Sequence, residues 1–541
     1  MTVANGFAIA ASPATIPDLI ATRGEVFGDR PVIVHDDVSW TFAELDSAAL
    51  VVARALVARG CGKGTRVGIL LPNGSSWVAA FLGITRIGAV AVPISTLSTP
   101  RELGWIVRHA DLHTLIMCEA YRNQDYVAAL EQVAPSLRTG VAAPLSMVEL
   151  PYLRHVLVVG DNPSPASWCE ALDLVGPSNP ASRDGVADEF IAAIEAEVTP
   201  ADLALVIYTS GSMDVPKGVV HTQGTIVRKS GLIARQTDRR RGDRFYTNMP
   251  FFWVGGLMIG VLASLYEGSS LHCTVTSDPA QLLALLEDEQ ITTTTIFSPG
   301  LPALLAHPDF DGEALAGVRE FGKLGGGGAL GMTETFGMHS LYPPGVEAAE
   351  GGMGLGAPGV ERQIHDPVTG QVLAPGELGE LVVRGEFVMD GYYKRERHQV
   401  FSPDGWFRTG DLCSISETGE VFWSGRLDGM IKTSGANVSP LEVESVILTW
   451  PGIGAAAVVG VPDAKRGAKV VAAVETVEGS TIDVGELEAF LRRELAGYKV
   501  PLHIEVLAPG CLPRGATGKV QAGKVRELLD TPVRGIQPDG R

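Results

Sequence analysis

Tyr208-Thr209-Ser210-Gly211-Ser212-Met213-Asp214-Val215-Pro216-Lys217-Gly218-Val219 follows directly on the apolar run Leu203-Ala204-Leu205-Val206-Ile207. That run has the length and composition of a buried strand, so the stretch leaves the end of a sheet. In open α/β sheets, strand ends are where ligands bind. Thr209, Ser210 and Ser212 cluster three hydroxyls around Gly211, whose backbone N–H can face an anion with no Cβ in the way. Lys217 supplies the compensating cation. The composition predicts a phosphate-binding loop, although its spacing is not G-x-x-x-x-G-K-[ST]. Standing alone, such a segment is more often a surface turn, so its surroundings decide.

Upstream, Thr41-Phe42-Ala43-Glu44 is a capping box followed by Leu45, Ala48, Ala49, Val52, Ala53 and Leu56 at helical spacing. Residues 66–71 read as a buried strand closed by Pro72-Asn73-Gly74, residues 76–87 as a helix and 90–94 as a strand. Thr99-Pro100 starts a further helix with proline at its first position. This alternation predicts a parallel, helix-covered sheet, with the Pro/Ser/Ala-rich residues 138–200 as an irregular linker. From 201 onward the loop strand, a helix over 224–237, a strand over 245–250, a Gly-rich helix over 255–266 and a strand over 271–274 predict a second sheet beside the first.

Residues 351–421 change to closely spaced Gly and Pro with short runs such as Leu381-Val382-Val383, the pattern of a β-rich subdomain. A capped helix at Ser439-Pro440-Leu441-Glu442, strands over 455–461 and 469–474, a helix over 484–495 and a strand over 503–507 suit a small α+β domain. The expectation is an α/β chain. A large N-terminal domain, 1–427, holds two helix-covered, mainly parallel sheets and the β-rich subdomain, in subunits of about 1–200, 201–340 and 341–427. A small mobile α+β domain fills 428–541.

A chain of 541 residues exceeds what one core usually supports. With 45% hydrophobic and 19% charged residues it is globular and poor in charge. A net charge of -19 excludes a general nucleic-acid binder, and the densest basic run, Arg239-Arg240-Arg241, is too short to alter that. Cys61, Cys118, Cys169, Cys273, Cys413 and Cys511 form no Cys-x-x-Cys pair and no zinc spacing with His, so they read as free thiols of a reducing compartment. The N-terminus lacks the basic start and apolar core of a signal peptide, and no apolar run reaches the ~18 residues of a membrane span. A cytoplasmic protein with no transmembrane segment is expected.

Four further stretches carry chemistry. Gly331-Met332-Thr333-Glu334-Thr335 joins a hydroxyl to a carboxylate, and Arg408-Thr409-Gly410-Asp411 offers a carboxylate that can accept two ribose hydroxyls. Gly425-Arg426-Leu427-Asp428 runs into Ile431-Lys432-Thr433-Ser434-Gly435, and Pro513-Arg514-Gly515-Ala516-Thr517-Gly518-Lys519 ends a Gly-rich loop on a lysine. Each alone reads as a cap, a turn or a solvated loop. Their order and distances together resemble the adenylate-forming superfamily, over nearly the whole chain from Thr41 to Lys519, and within it the acyl- and aryl-CoA ligases.

The resemblance implies ATP-dependent activation of a small-molecule carboxylic acid to an acyl-adenylate, then thioester formation with coenzyme A, with Mg²⁺ as the metal. Thr209, Ser210, Gly211, Ser212 and Lys217 would hold the pyrophosphate part of ATP, Thr333 the α-phosphate, Glu334 the metal, and Asp411 the ribose with Arg426 nearby. Lys519 would carry adenylation, its ammonium bridging the carboxylate and the α-phosphate. Asp428 matches the hinge about which the small domain rotates, and Ser434 and Gly435 the pantetheine path. Phe251-Phe252-Trp253-Val254-Gly255-Gly256 matches the wall of the acyl pocket. Trp253 stands where many relatives have His, as a gate or as plain core. With no Asp in that motif to fix an amino group, an aliphatic or aryl acid is expected rather than an amino acid.

Two departures from the family pattern stand out. Met213 and Asp214 replace a hydroxyl-glycine pair, removing a donor and bringing a negative charge toward polyphosphate. Gly326-Gly327-Gly328-Ala329 runs straight into Leu330-Gly331-Met332, where relatives interpose a helix and a strand. Three readings therefore stay open: an acid:CoA ligase, an adenylating enzyme that transfers to a carrier-protein thiol, and a degenerate relative that binds nucleotide or acyl ligand without turnover. Intact Asp411, Arg426, Asp428, Gly435 and Lys519 favour activity. The sequence leaves the oligomeric state open.

Overall fold

The computed structural model describes residues 12–36, 38–160, 166–174, 185–209, 216–274, 276, 278–296, 300–312, 315, 317–319, 328–433, 436–463, 466–495, 497, 499–515 and 518–530. The chain folds into two compact units, one of Met1–Glu361 with Val383–Phe407, the other of Arg362–Val382 with Arg408–Arg541.

The first unit is built on two large sheets. An eight-stranded sheet runs in the order Gly391–Tyr392, Lys217–Thr222, Leu203–Thr209, Val90–Pro93, Arg66–Leu70, Thr114–Met117, His155–Val159, Glu170–Leu172. From Leu203–Thr209 onward it is parallel, and the two strands at its other end are antiparallel. A five-stranded sheet runs Thr293–Thr295, Arg244–Thr247, Ser270–Cys273, Pro31–His35, Val38–Thr41, parallel except for its last pair. Helices Phe42–Ala58 and Ser75–Arg86 pack together, and at Gly83 a Cβ would fall 2.6 Å from the Ala49 carbonyl oxygen. The Thr41 and Thr99 capping boxes form as the sequence predicts.

Two expectations about these sheets are corrected, and one expected helix gains detail. The loop strand does not open a second sheet: Leu205 pairs with Ala91, so Leu203–Thr209 joins the sheet begun by the first strands. Residues 138–200 are not merely a linker, because His155–Val159 adds in parallel to Thr114–Met117 and helix Asp188–Ala196 follows. The run His155-Val156-Leu157-Val158-Val159 is a doubly buried parallel strand, and its Pro/Ser-rich surroundings hide that signal. The Gly-rich helix divides into a π-helix, Gly256–Leu262, and an α-helix, Ala263–Glu267. Buried Arg239 donates to the Ile259 carbonyl oxygen at 3.3 Å and to Ser264 Oγ at 2.9 Å, bracing this widened turn.

A small antiparallel sheet of Ala329–Met332, Gly337–Leu341 and Leu355–Gly356 completes the first unit's site region. The second unit holds a sheet of Ala436–Val438, Ile431–Thr433, Gly467–Thr476 and Ile453–Asp463, with Ile504–Leu507 parallel to Gly467–Thr476. Strand alternation sorts its core. Val470, Ala472 and Val474 face helices Pro440–Ile447 and Val484–Glu494, while Val471 and Ala473 face helix Ala522–Asp530, which sequence patterning missed. The six cysteines are all free. Among the described residues, no helix is long and apolar enough to cross a membrane.

Candidate active site

In the first unit, Thr209 and Lys217 are cross-strand partners at the ends of strands Leu203–Thr209 and Lys217–Thr222, which places both at the base of the predicted phosphate loop. Gly218 lets the strands close, since a Cβ there would meet Val206 Cγ1 at 2.9 Å. Tyr208 anchors the strand end just before Thr209: its hydroxyl lies 2.8 Å from His109 Nδ1, and the His109 ring stacks on Trp105 at 4.4 Å. Ser210, Gly211, Ser212, Met213 and Asp214 lie outside the described residues.

Strand Lys217–Thr222 also pairs with Gly391–Tyr392, and this brings the loop base to the Thr333–Thr335 turn. Lys217 Nζ sits 5.3 Å from the centre of the Tyr392 ring. The Tyr392 hydroxyl donates to Glu334 Oε1 at 2.7 Å, and the Met389 N–H donates to the Glu334 carbonyl oxygen at 2.7 Å. Tyr392 fixes one carboxylate oxygen of Glu334, and Oε2 has no partner among the described residues.

The turn is held from beneath by His221. Its Nε2–H donates to the Thr333 carbonyl oxygen at 2.7 Å, its ring packs 5.0 Å from Phe336, and burial pushes its pKa down to about 4, so the imidazole is neutral. Thr335 turns inward and donates to the Gly337 carbonyl oxygen at 2.7 Å, which leaves Thr333 and Glu334 half-buried at the rim. Among the described residues, no group of three or more His, Cys, Asp or Glu side chains could hold a metal ion. A single carboxylate suits Mg²⁺, which takes one or two protein carboxylates and completes its shell with phosphate and water.

In the acyl motif, the Trp253 ring lies half-buried, edge-on to Phe252 at 5.5 Å and 77°. Asn73 braces this loop, donating from Nδ2 to the Met249 carbonyl oxygen at 2.9 Å and accepting the Phe251 N–H on Oδ1 at 2.8 Å. Gly255 precedes the π-helix.

In the second unit, strands Phe407–Ile415 and Val421–Arg426 pair Asp411 with Arg426. Trp423 Nε1–H and Arg426 Nη1–H both donate to Asp411 Oδ1, at 3.1 and 3.2 Å, leaving Oδ2 without a partner among the described residues. Gly410, at φ +74°, makes room for Arg426, whose Nη2 would lie 2.9 Å from a Cβ there. Buried Glu380 accepts the Gly410 N–H at 3.1 Å and Arg408 Nε–H at 2.6 Å, fixing the strand end on which Asp411 sits. Asp428 lies in a 3₁₀ turn, Leu427–Gly429. Lys519 is exposed, and its carbonyl oxygen accepts the Gly515 N–H at 2.8 Å. Ser434 and Gly435 lie outside the described residues.

Thus Thr209, Lys217, Thr333 and Glu334 are brought together in one unit, and Asp411 and Arg426 in the other. Sequence reasoning missed Tyr392, His221 and Trp423. His221 carried a signal, since residues 217, 219 and 221 share one face of a strand. Tyr392 and Trp423 carried none, because pairing alone brings them to Glu334 and Asp411.

The sequence profile of the AMP-binding enzyme matches residues 20–393, and that of the AMP-binding enzyme C-terminal domain matches residues 442–519. The chain is 30% identical to the sulfoacetate–CoA ligase of Cupriavidus necator, over 94% of this chain and 97% of that protein. It is 30% identical to the feruloyl-CoA synthase of an Amycolatopsis species, over 93% of this chain and 97% of that protein. The ATP-bound MatB structure from Rhodopseudomonas palustris matches with a TM-score of 0.75 at 25% identity, covering 96% of this chain and 99% of that one.

Proposed function

The chain belongs to the AMP-binding enzyme family, and from that membership we propose that it joins a carboxylic acid to AMP with loss of pyrophosphate, then passes the acyl group to coenzyme A. The observation that carries the proposal is the continuous set Thr209, Lys217, Tyr392 and Glu334, with one Glu334 oxygen fixed by Tyr392 and the other without a partner among the described residues.

In the first half-reaction a carboxylate oxygen attacks the α-phosphorus and the bond to pyrophosphate breaks, so protein groups must spread charge over phosphoryl oxygens. Thr209, Ser210, Gly211, Ser212 and Lys217 bind the β- and γ-phosphates, and Thr333 the α-phosphate. Glu334 would hold Mg²⁺, which would supply positive charge against the polyphosphate. Asp411 accepts the ribose hydroxyls on Oδ2, with its other oxygen locked by Trp423 and Arg426. Lys519 delivers its ammonium to the carboxylate and α-phosphate. In the second half-reaction a thiolate attacks the acyl carbonyl carbon and AMP leaves. Asp428 serves as the hinge, and Ser434 and Gly435 line the pantetheine path.

Trp253 and Gly255 wall the acyl pocket, and the acid is aliphatic or aryl. The aryl choice is supported by the feruloyl-CoA synthase relative, and free coenzyme A as acceptor by both named ligases.

The test is acid-dependent exchange of pyrophosphate into ATP over a panel of fatty and aryl acids. Exchange is expected with at least one acid, and Lys519→Ala is expected to lower it about 100-fold or more. No exchange with any acid counts against turnover and for the degenerate reading raised by Met213 and Asp214. Exchange unchanged by Lys519→Ala removes Lys519 from the chemistry. Thioester formation with free coenzyme A, compared with a carrier protein, then assigns the acceptor.

A further inference from the structure

Helix Gln223–Gln236 buries a lysine that none of the chemistry above uses. Lys229 has no exposed surface, and its Nζ–H donates to the Met338 carbonyl oxygen at 2.6 Å. Burying an ammonium is costly, and an apolar side chain of similar volume would fill the space without that cost. What an apolar side chain cannot do is donate.

The ladder is broken beside Met338. Strands Ala329–Met332 and Gly337–Leu341 pair Leu330 with Ser340 and Gly331 with Met338, leaving His339 as the extra residue of a bulge. Met338 lies four residues after Glu334. Lys229 Nζ also sits 4.8 Å from the centre of the Phe387 ring. The same helix grips that second segment at two more points: Arg228 pairs with the Glu386 carboxylate at 3.1 Å, and Thr225 Oγ1–H donates to the Glu386 carbonyl oxygen at 3.4 Å. Two residues on, Met389 N–H holds the Glu334 backbone, and Tyr392 holds its carboxylate.

We propose that Lys229 is a positioning residue for Glu334, bracing from one buried point both the bulged strand that leaves the turn and the segment that grips the turn. Burial lowers its pKa to about 8, and Glu386 opposes that shift. The structural part stands on these contacts alone, and only its catalytic consequence rests on Glu334 holding Mg²⁺.

Lys229→Met tests it, with Leu56→Ala as a control for general loss of stability in the distant helix Phe42–Ala58. Amide hydrogen exchange is expected to quicken about tenfold at Met389 and Phe336 in Lys229→Met, and not in Leu56→Ala. In the acid-dependent exchange assay, the half-saturating Mg²⁺ concentration is expected to rise about tenfold in Lys229→Met, as for other residues that orient a metal ligand. Lys229→Gln, which keeps a donor, should restore part of both. Met389 exchange no faster than in the control overturns the proposal, and so does an unchanged Mg²⁺ requirement. If the wild type lacks acid-dependent exchange, the ligase reading falls instead, and the amide exchange of Met389 and Phe336 still decides the role of Lys229. Should Lys229→Met fail to fold, Lys229→Gln is read against the same control.

Discussion

Asp411 receives Trp423 at 3.1 Å and Arg426 at 3.2 Å on one oxygen, and among the described residues the other oxygen has no partner. Asp411→Asn keeps the shape but removes the charge that strengthens bonds to ribose hydroxyls. A rise of about 10- to 100-fold in the KM for ATP is expected, since hydrogen bonds to charged groups contribute roughly 1.5–3 kcal/mol. The same substitution should matter far less for 2′,3′-dideoxy-ATP, and an equal loss with both nucleotides would show that Asp411 does not touch ribose. His221 gives a second residue-level expectation. Its folded pKa of about 4 lies below the ordinary 6.5 because burial disfavours the imidazolium. Between those values the unfolded chain binds a proton that the native chain does not, so stability is full above pH 6.5 and is lost as pH falls toward 4. Between pH 7 and pH 5 this amounts to about 2 kcal/mol. Urea unfolding at the two pH values should show a smaller difference in His221→Gln than in the wild type, the effect of buried His272 being common to both.

At the scale of elements, the turn carrying Thr333 and Glu334 depends on an unusual exit. Phe336 is buried at φ +47° and Gly337 sits at φ +103°, where a Cβ would lie 2.3 Å from Met258 Sδ of the π-helix. Gly337→Ala therefore meets both backbone strain and a clash, and a loss of about 1–3 kcal/mol is expected. Thermal unfolding should show a lower midpoint, and adding Met258→Ala should recover the clash but not the strain. A midpoint unchanged in Gly337→Ala would mean the turn can open without cost. Helix starts were legible because caps are local: Thr41, Thr99 and Ser439 each accept the expected backbone N–H. Strand partners were not, because a strand's neighbours are set by crossover connections rather than by its own residues. That is why Leu203–Thr209 reads as the start of a new sheet and in fact joins an old one.

At the scale of the whole molecule, the expected rotation at Asp428 concerns the two half-reactions together. In the 3₁₀ turn Leu427–Gly429, the Met430 N–H to Leu427 carbonyl bond does not involve the N–H that proline at 428 would remove. Asp428→Pro should therefore leave the fold intact while restricting the backbone. One half-reaction should slow about tenfold or more and the other change little, as for residues that gate catalysis by conformational change. Equal effects on pyrophosphate exchange and on thioester formation would remove the hinge role. By itself the sequence determined the family, the α/β class and the motif residues, because those are written in composition, caps and the spacing of a few polar side chains. Only the tertiary structure decided which sheet each strand enters, that Tyr392 fixes Glu334, that Trp423 and Arg426 share one oxygen of Asp411, and that Lys229 is buried under a bulge. Such contacts join residues far apart in the chain, such as 229 with 338 and 334 with 392, and a contact set by pairing and packing leaves no local pattern to read.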